Sequence, residues 1–387
     1  MIAVDMAAEL NASSSLLGLM SSAYFFPYAL VQIPVGILLD RIGVRKTIGS
    51  LGVIAVIGNF AFALGPSLGI VTIGRILVGA GVGGFYVSGL KALSVWYDSR
   101  KFATLAGLLT AIGNLGAFVA SSPLAMVSVN IGWRSAFTVI GIGLSIFIVL
   151  VWVSLKKERH VINTSEKSAK SDLRGIFTNR HFLIVMMIPF LSYGVYISFQ
   201  GLWAGPYLAA VYGMNTVTVG FFLTFISIGF IISTPLGGYL SDKVLKRRKP
   251  VLLMGLLLSL VFWISLVLFG AILTPIALSL LLFLIGFATG FTYVLMVMSK
   301  EMFTRDISGT AMASLNQFYF IGGGFFQLFM GFVLDAAFGG TMTFASYQLI
   351  FAISAVSLLI SIVLTVFSKE TYSESENVND MISNSLG

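Results

Sequence analysis

Long apolar stretches recur along this chain, separated by short polar or glycine-bearing breaks. Eleven are long enough to cross a bilayer: Leu16–Leu39, Thr47–Leu64, Leu68–Ala92, Ala103–Pro123, Ser135–Val153, Phe182–Trp203, Val217–Leu240, Val251–Ile272, Pro275–Met298, Gly309–Val333 and Tyr347–Val366. A crossing takes about 20 residues of helix. In hydrocarbon every peptide group must find its partner within its own segment, so these lengths predict helices. The longest polar stretch, 156–180, mixes both charge signs with Ser, Thr and Asn and reads as a solvated linker. It separates an N-terminal bundle of five spans, residues 1–155, from a C-terminal bundle of six, residues 181–368, with a polar tail at 369–387. The predicted class is all-α integral membrane.

Composition sharpens this. The 387 residues are 57% hydrophobic and 10% charged, too little polar surface to clothe a soluble globule. Cysteine is absent, which excludes a disulfide framework and a thiolate metal site. A net charge of +8 invites a nucleic-acid reading, but the positions of the charges argue otherwise. If the Arg41 loop is cytoplasmic, only Arg75 and Arg134 of the 23 Lys and Arg residues fall away from that side. This positive-inside bias predicts a multi-pass inner (plasma) membrane protein with its N-terminus outside and the tail from Lys369 in the cytoplasm. The expected partners are the lipid bilayer and a small-molecule substrate, not nucleic acid.

The two halves look alike. Gly36-Ile-Leu-Leu-Asp40-Arg41 ends one span and Gly238-Tyr-Leu-Ser-Asp242-Lys243 ends another at an offset of 202 residues, each followed by a basic pair, Arg45-Lys46 and Arg247-Arg248. Gly79, Gly83, Tyr86 and Val87 match Gly286, Gly290, Tyr293 and Val294 at an offset of 207. Two matches in the same order argue for a duplicated bundle.

Gly36, Asp40, Arg41, Gly43, Arg45 and Lys46 reproduce the signature loop of the major facilitator superfamily, and the chain resembles that family throughout. Arg75-Ile-Leu-Val-Gly79-Ala-Gly81 resembles its fourth-helix motif, and Gly132-Trp133-Arg134 the start of its sixth helix. The resemblance implies two pseudo-symmetric bundles of six helices around a central cavity that opens alternately to each side. It also implies a helix before Leu16, so eleven of an expected twelve spans are visible, and Met1-Ile-Ala-Val fits the last turn of a first helix cut by a start site placed too far downstream, with a genuine eleven-span protein as the alternative. By the same resemblance Asp40 and Asp242 are gating residues, with Arg41, Arg45 and Lys243 beside them. Asp40 would face the start of the span near Gly309, and Asp242 that of the span near Ala103.

Arg75 is the sharpest chemical signal, because it lies about 10 Å inside its span, where a cation normally faces a cavity or a partner. Gly79, Gly83 and Tyr86 share its helical face. Other polar stripes are Tyr24, Tyr28 and Gln32; Thr110 and Asn114; Tyr193, Tyr196 and Gln200; and Asn316, Tyr319 and Gln327. With Arg75, the residues Tyr86, Tyr196, Gln200, Tyr293 and Asn316 are the expected substrate ligands. The glycines of 286–290 and 322–324 read as close-packing positions. His160 and His181 have no carboxylate cluster beside them, and neither a metal site nor a cofactor is expected.

Absences narrow the reading. No Asp or Glu lies well inside any of the eleven stretches, so a carboxylate to carry a coupling proton is not visible, although a proton remains a candidate coupling ion. The drug-antiporter pattern is missing from Gly113–Pro123, as are the buried arginines of nitrate carriers and the sugar-porter signature after the sixth span. A monomeric secondary or facilitative transporter of a carboxylate-bearing solute is expected: an organic anion, an amino acid or a short peptide. A non-transporting receptor or scaffold and a drug-efflux carrier stand as alternatives. An enzyme is not expected, for want of a nucleophile, an acid-base pair or a metal cluster.

Overall fold

The computed structural model describes residues 2–96, 119–154 and 175–372, with scattered positions between 105 and 116. It is an all-α membrane fold, with no strand among the described residues. Ten of the described helices are long and apolar enough to cross a membrane. The expected span Ala103–Pro123 lies largely outside the described residues, as do Thr110 and Asn114.

The packing of the chain separates two units. The first comprises Met1–Thr164, Ser198–Thr224 and Gly324–Thr343. A short helix, α1 (Ala3–Leu10), leads into α2 (Ser14–Leu64). A straight helix of 51 residues would run about 75 Å, more than twice the hydrocarbon thickness. It breaks at Gly43, whose φ of 81° is open to glycine and strained for other residues. The signature-loop glycine therefore falls between the two expected spans, Leu16–Leu39 and Thr47–Leu64, which α2 contains, and the Thr47 hydroxyl donates to the Gly43 carbonyl at 2.8 Å to steady the break. Against α2 lies α3 (Leu68–Val82), seated through small residues. A methyl group at Gly58 would lie 2.6 Å from Leu77 Cβ, and one at Gly81 2.7 Å from Ala55 Cα. Beyond a turn at Gly83-Gly84 the same span continues as α4 (Phe85–Trp96). The helices α5 (Ser122–Ile131) and α6 (Trp133–Ser154) complete the N-terminal part.

The second unit comprises Ser165–Ile197, Phe225–Gly323 and Phe344–Gly387. Its centre is α7 (Lys249–Phe269), packed on α8 (Pro275–Gly290) and on the helix Phe344–Phe367. The glycine contacts of the first unit recur here. A methyl group at Gly79 would strike the carbonyl of Tyr24, and one at Gly286 the carbonyl of Ile226. One at Gly83 would sit 2.7 Å from the Tyr28 carbonyl, and one at Gly290 3.0 Å from that of Phe230. Tyr24 and Ile226, like Tyr28 and Phe230, stand 202 residues apart, the offset of the signature-loop repeat. The internal repeat is thus the same glycine-on-carbonyl packing used twice, which lets membrane helices approach closely.

Several helices run past the apolar stretches that announce them. The expected Phe182–Trp203 is part of Arg180–Tyr212, with a π-helical segment at Phe199–Trp203, and it ends where Gly213 turns to φ 64°. The expected Gly309–Val333 is part of a helix, α9 (Arg305–Phe338), that ends before Gly339 and Gly340, both at positive φ. Caps and backbone conformation end a helix, and hydropathy reports only the part inside hydrocarbon.

Candidate functional site

In the first unit Arg75 projects from α3 between two aromatic rings of α2. Its guanidinium carbon lies 5.3 Å from the Tyr24 ring centroid and 5.4 Å from that of Phe62, within cation–π range. Its Nε is buried and donates to no acceptor among the described residues. Tyr28 continues the aromatic wall, 5.7 Å from Tyr24. The same unit carries Gln327, whose Oε1 is buried and accepts no hydrogen bond among the described residues, and the expected ligands Gln200 and Tyr86. Gln200 is half-buried within the π-helical segment, and Tyr86 is 43% exposed. Gly79 and Gly83, which share the Arg75 face in the sequence pattern, are packing contacts to α2.

The repeat supplies a comparison inside the chain. At the 207-residue offset, the counterpart of Arg75 is Leu282, which is fully buried. The counterpart of Tyr24 is the buried Ile226. The fold accepts a Leu–Ile pair where the first unit places a cation against a phenol, so packing alone does not demand the charge.

The second unit holds the other three expected ligands. Tyr196, 2% exposed, stacks on Phe230 at 5.6 Å and lies 5.4 Å from Tyr193. Tyr319 joins Tyr193 at 4.9 Å and Tyr293 at 6.4 Å, and its hydroxyl donates to the Thr292 carbonyl at 3.3 Å. Asn316 is half-buried on the helix that carries Tyr319. Tyr196 and Tyr293 therefore belong to one aromatic cluster, which also includes Tyr193, Phe230 and Tyr319.

The expected gating residues have varied surroundings. The side chain of Asp40 lies outside the described residues, and so does Ala103, near which Asp242 was expected. Arg41 is exposed. Arg45 donates from Nε to the Trp152 carbonyl at 2.8 Å and stacks over that ring at 4.7 Å, fastening α2 to the end of α6. Lys243 is exposed, in the π-helical turn Leu240–Val244. Asp242 pairs with Arg248. The buried Arg248 also donates to Ser241 Oγ at 2.7 Å and to Glu301 at 2.7 Å. Burial acts to lower the Arg248 pKa, but its hydrogen bonds to Glu301 and Asp242 outweigh that and raise it.

Besides Glu301, three carboxylates with structural roles were missed in the sequence. Asp335 accepts from the Ser14 N–H at 3.1 Å and the Ser15 N–H at 2.8 Å, where α2 begins. Glu9 accepts from Arg134 Nε and from Trp133 Nε1, each at 2.6 Å. Glu370 accepts from the Arg248 and Lys249 N–H groups at 2.9 and 3.0 Å. The one signal for Asp335 was an acid just past an apolar stretch, and nothing local singled out Glu9 or Glu370.

Comparison with known proteins agrees with this fold. The family model of the Major Facilitator Superfamily matches residues 1–327 and 203–384. A probable sulfoacetate transporter of Cupriavidus necator is 25% identical over 279 residues, covering 66% of this chain and 64% of that protein. The hexuronate transporter of Escherichia coli K12 is 25% identical over 358 residues, covering 84% of this chain and 81% of its own length. Among solved structures, a D-xylose-proton symporter superposes with a TM-score of 0.74 at 19% identity, covering 93% of this chain and 91% of that one, which speaks for the fold alone. These relatives are transporters of small solutes, and the match to the family spans nearly the whole length: the chain belongs to the Major Facilitator Superfamily.

Proposed function

We propose that this protein carries a small organic anion across the membrane by alternating access, with Arg75 as the anchor for the solute's carboxylate. The observation that carries this reading is the buried guanidinium whose Nε has no acceptor among the described residues, at a position where the repeat places Leu282. A cation held in a span without an anionic partner is unfavourable, and an incoming carboxylate relieves that at each binding event. The Tyr24 and Phe62 rings stabilise the charge without neutralising it. The names of the two transporter relatives, for sulfoacetate and for hexuronate, fit a solute of this class. In this reading residues 1–155 and 181–368 are the two halves of the alternating-access cycle, Tyr86 and Gln200 add polar contacts to the solute held by Arg75, and the tail from Lys369 is cytoplasmic.

Uptake by proteoliposomes tests it. Arg75→Leu copies the residue of the repeat and should insert and melt like the wild type. Its uptake of a hexuronate or sulfoacetate should fall about 30-fold or more, as when one partner of a buried charge pair is removed. Arg75→Lys keeps the charge but loses the planar fork that meets a carboxylate at two points, and uptake should fall nearly as far. If Arg75→Lys transports normally, or if Arg75→Leu weakens a neutral sugar as much as its uronate, Arg75 is not the anion anchor.

A further inference from the structure

The second unit has a cavity of about 630 Å³ that the transport reading does not use, lined by Lys246, Arg247 and Lys249, with Pro250 and Leu253 as an apolar floor. It lies where the span Thr216–Val244 ends and the span Lys249–Phe269 begins, at a membrane boundary. The connection between them turns through Lys246, which takes the left-handed conformation at φ 47°. Lys246 and Arg247 are exposed, and neither makes a hydrogen bond or an ion pair among the described residues. Lys249 is fixed as a wall, its Nζ donating to the Val366 carbonyl at 2.6 Å and the Ser368 carbonyl at 3.0 Å.

One carboxylate, Glu370, also borders the cavity, with Tyr372 beside it. Its Oε1 accepts from the N–H groups of Arg248, Thr371 and Tyr372, and its Oε2 from that of Lys249. Its charge is therefore directed at the start of α7 and leaves the three cations in excess. Apolar surface continues away from the cavity along one face of α7. From Leu253 the helix presents Leu257, Val261 and Ile264 and ends on Leu268, at steps of four, four, three and four residues, and the last four of these are exposed. Val244 and Leu245 are exposed beside the cavity.

We propose that this cavity binds the headgroup of an anionic phospholipid, with the phosphate against Lys246 and Arg247 and an acyl chain along the Leu257–Leu268 face. Basic pockets at span ends suit anionic headgroups, and the stripe selects a lipid over a soluble anion, which would gain nothing from it. The inference rests on the membrane fold and not on the identity of the transported solute.

Native mass spectrometry of the full chain in detergent tests it, with phosphatidylglycerol and phosphatidylcholine of identical acyl chains as probes. Phosphatidylglycerol should be retained in preference. Lys246→Gln with Arg247→Gln should weaken its binding about 30-fold, each cation near an anionic headgroup contributing roughly equally. Arg180→Gln with Lys300→Gln, which removes two other exposed cations of the same unit, should leave it unchanged. Equal retention of both lipids, undiminished binding in the 246/247 variant, or an equal loss in the 180/300 variant would overturn the proposal. Displacement of the lipid by an equal concentration of inorganic phosphate would also overturn it, because the cavity would then be a site for a soluble anion.

Discussion

Arg134, one of the two basic residues that the charge pattern places away from the rest, is tied down by its neighbours. Its Nε meets Glu9 at 2.6 Å, and its Nη1 donates to the carbonyls of Ala63 and Gly65, at 3.0 and 2.8 Å, where α2 ends. Arg75 differs in this respect, since its Nε has no acceptor among the described residues, and that contrast separates a structural arginine from a candidate ligand. The hydrogen bond from Arg134 holds Glu9 below the usual carboxylate value of 4.5, with burial opposing it. Because the folded-state value is lowered, the contribution of the pair is complete above pH 4.5 and is lost as the pH falls through the lower folded value. Both side chains are partly exposed, at 27% and 45%, so the contribution is a few tenths to about 1 kcal/mol. Melting of detergent-solubilised wild type and Glu9→Gln should therefore differ at pH 7 and converge in acid; a constant difference across that range would remove the carboxylate charge as the cause.

The start of α2 depends on an element distant in the chain. The first N–H groups of a helix have no partner within it. Here the Ser13 hydroxyl accepts from Leu16, while Asp335, at the far end of α9, accepts from Ser14 and Ser15. A carboxylate at a helix N-terminus also meets the positive end of the helix dipole. Asp335→Ala should lower stability by about 1 kcal/mol, with Asp335→Asn losing less because one acceptor oxygen remains. Thermal unfolding of the two variants checks this, and equal melting of Asp335→Ala and wild type would show that water replaces the carboxylate. At the same scale the glycines sort into two kinds. Gly43 is required by its backbone angle, whereas Gly79 and Gly286 are required by the carbonyl against them, and a sequence pattern shows both only as glycine.

For the molecule as a whole, the distribution of Lys and Arg sets an expected orientation. A reporter fused after Lys369 should register on the cytoplasmic side, and an external signal would overturn that topology. The spans themselves were readable because transfer of a contiguous segment into hydrocarbon is a nearly additive property of its own residues. The duplication was readable for the same local reason: Gly36 to Lys46 and Gly238 to Arg248 preserve their spacing, and so do Gly79 with Gly83 and Gly286 with Gly290. Arg75 could be singled out by depth alone. Its two rings could not, nor could the partners of Asp335, 321 and 320 residues away, nor the meeting of Arg248 with Glu301 and Glu370. By itself, then, the sequence determined membrane class, helix number to within the segments described, and the repeat. Only the tertiary structure decided which polar groups meet, because a hydrogen bond or ion pair depends on distances of about 3 Å between segments whose separation along the chain says nothing of their separation in space.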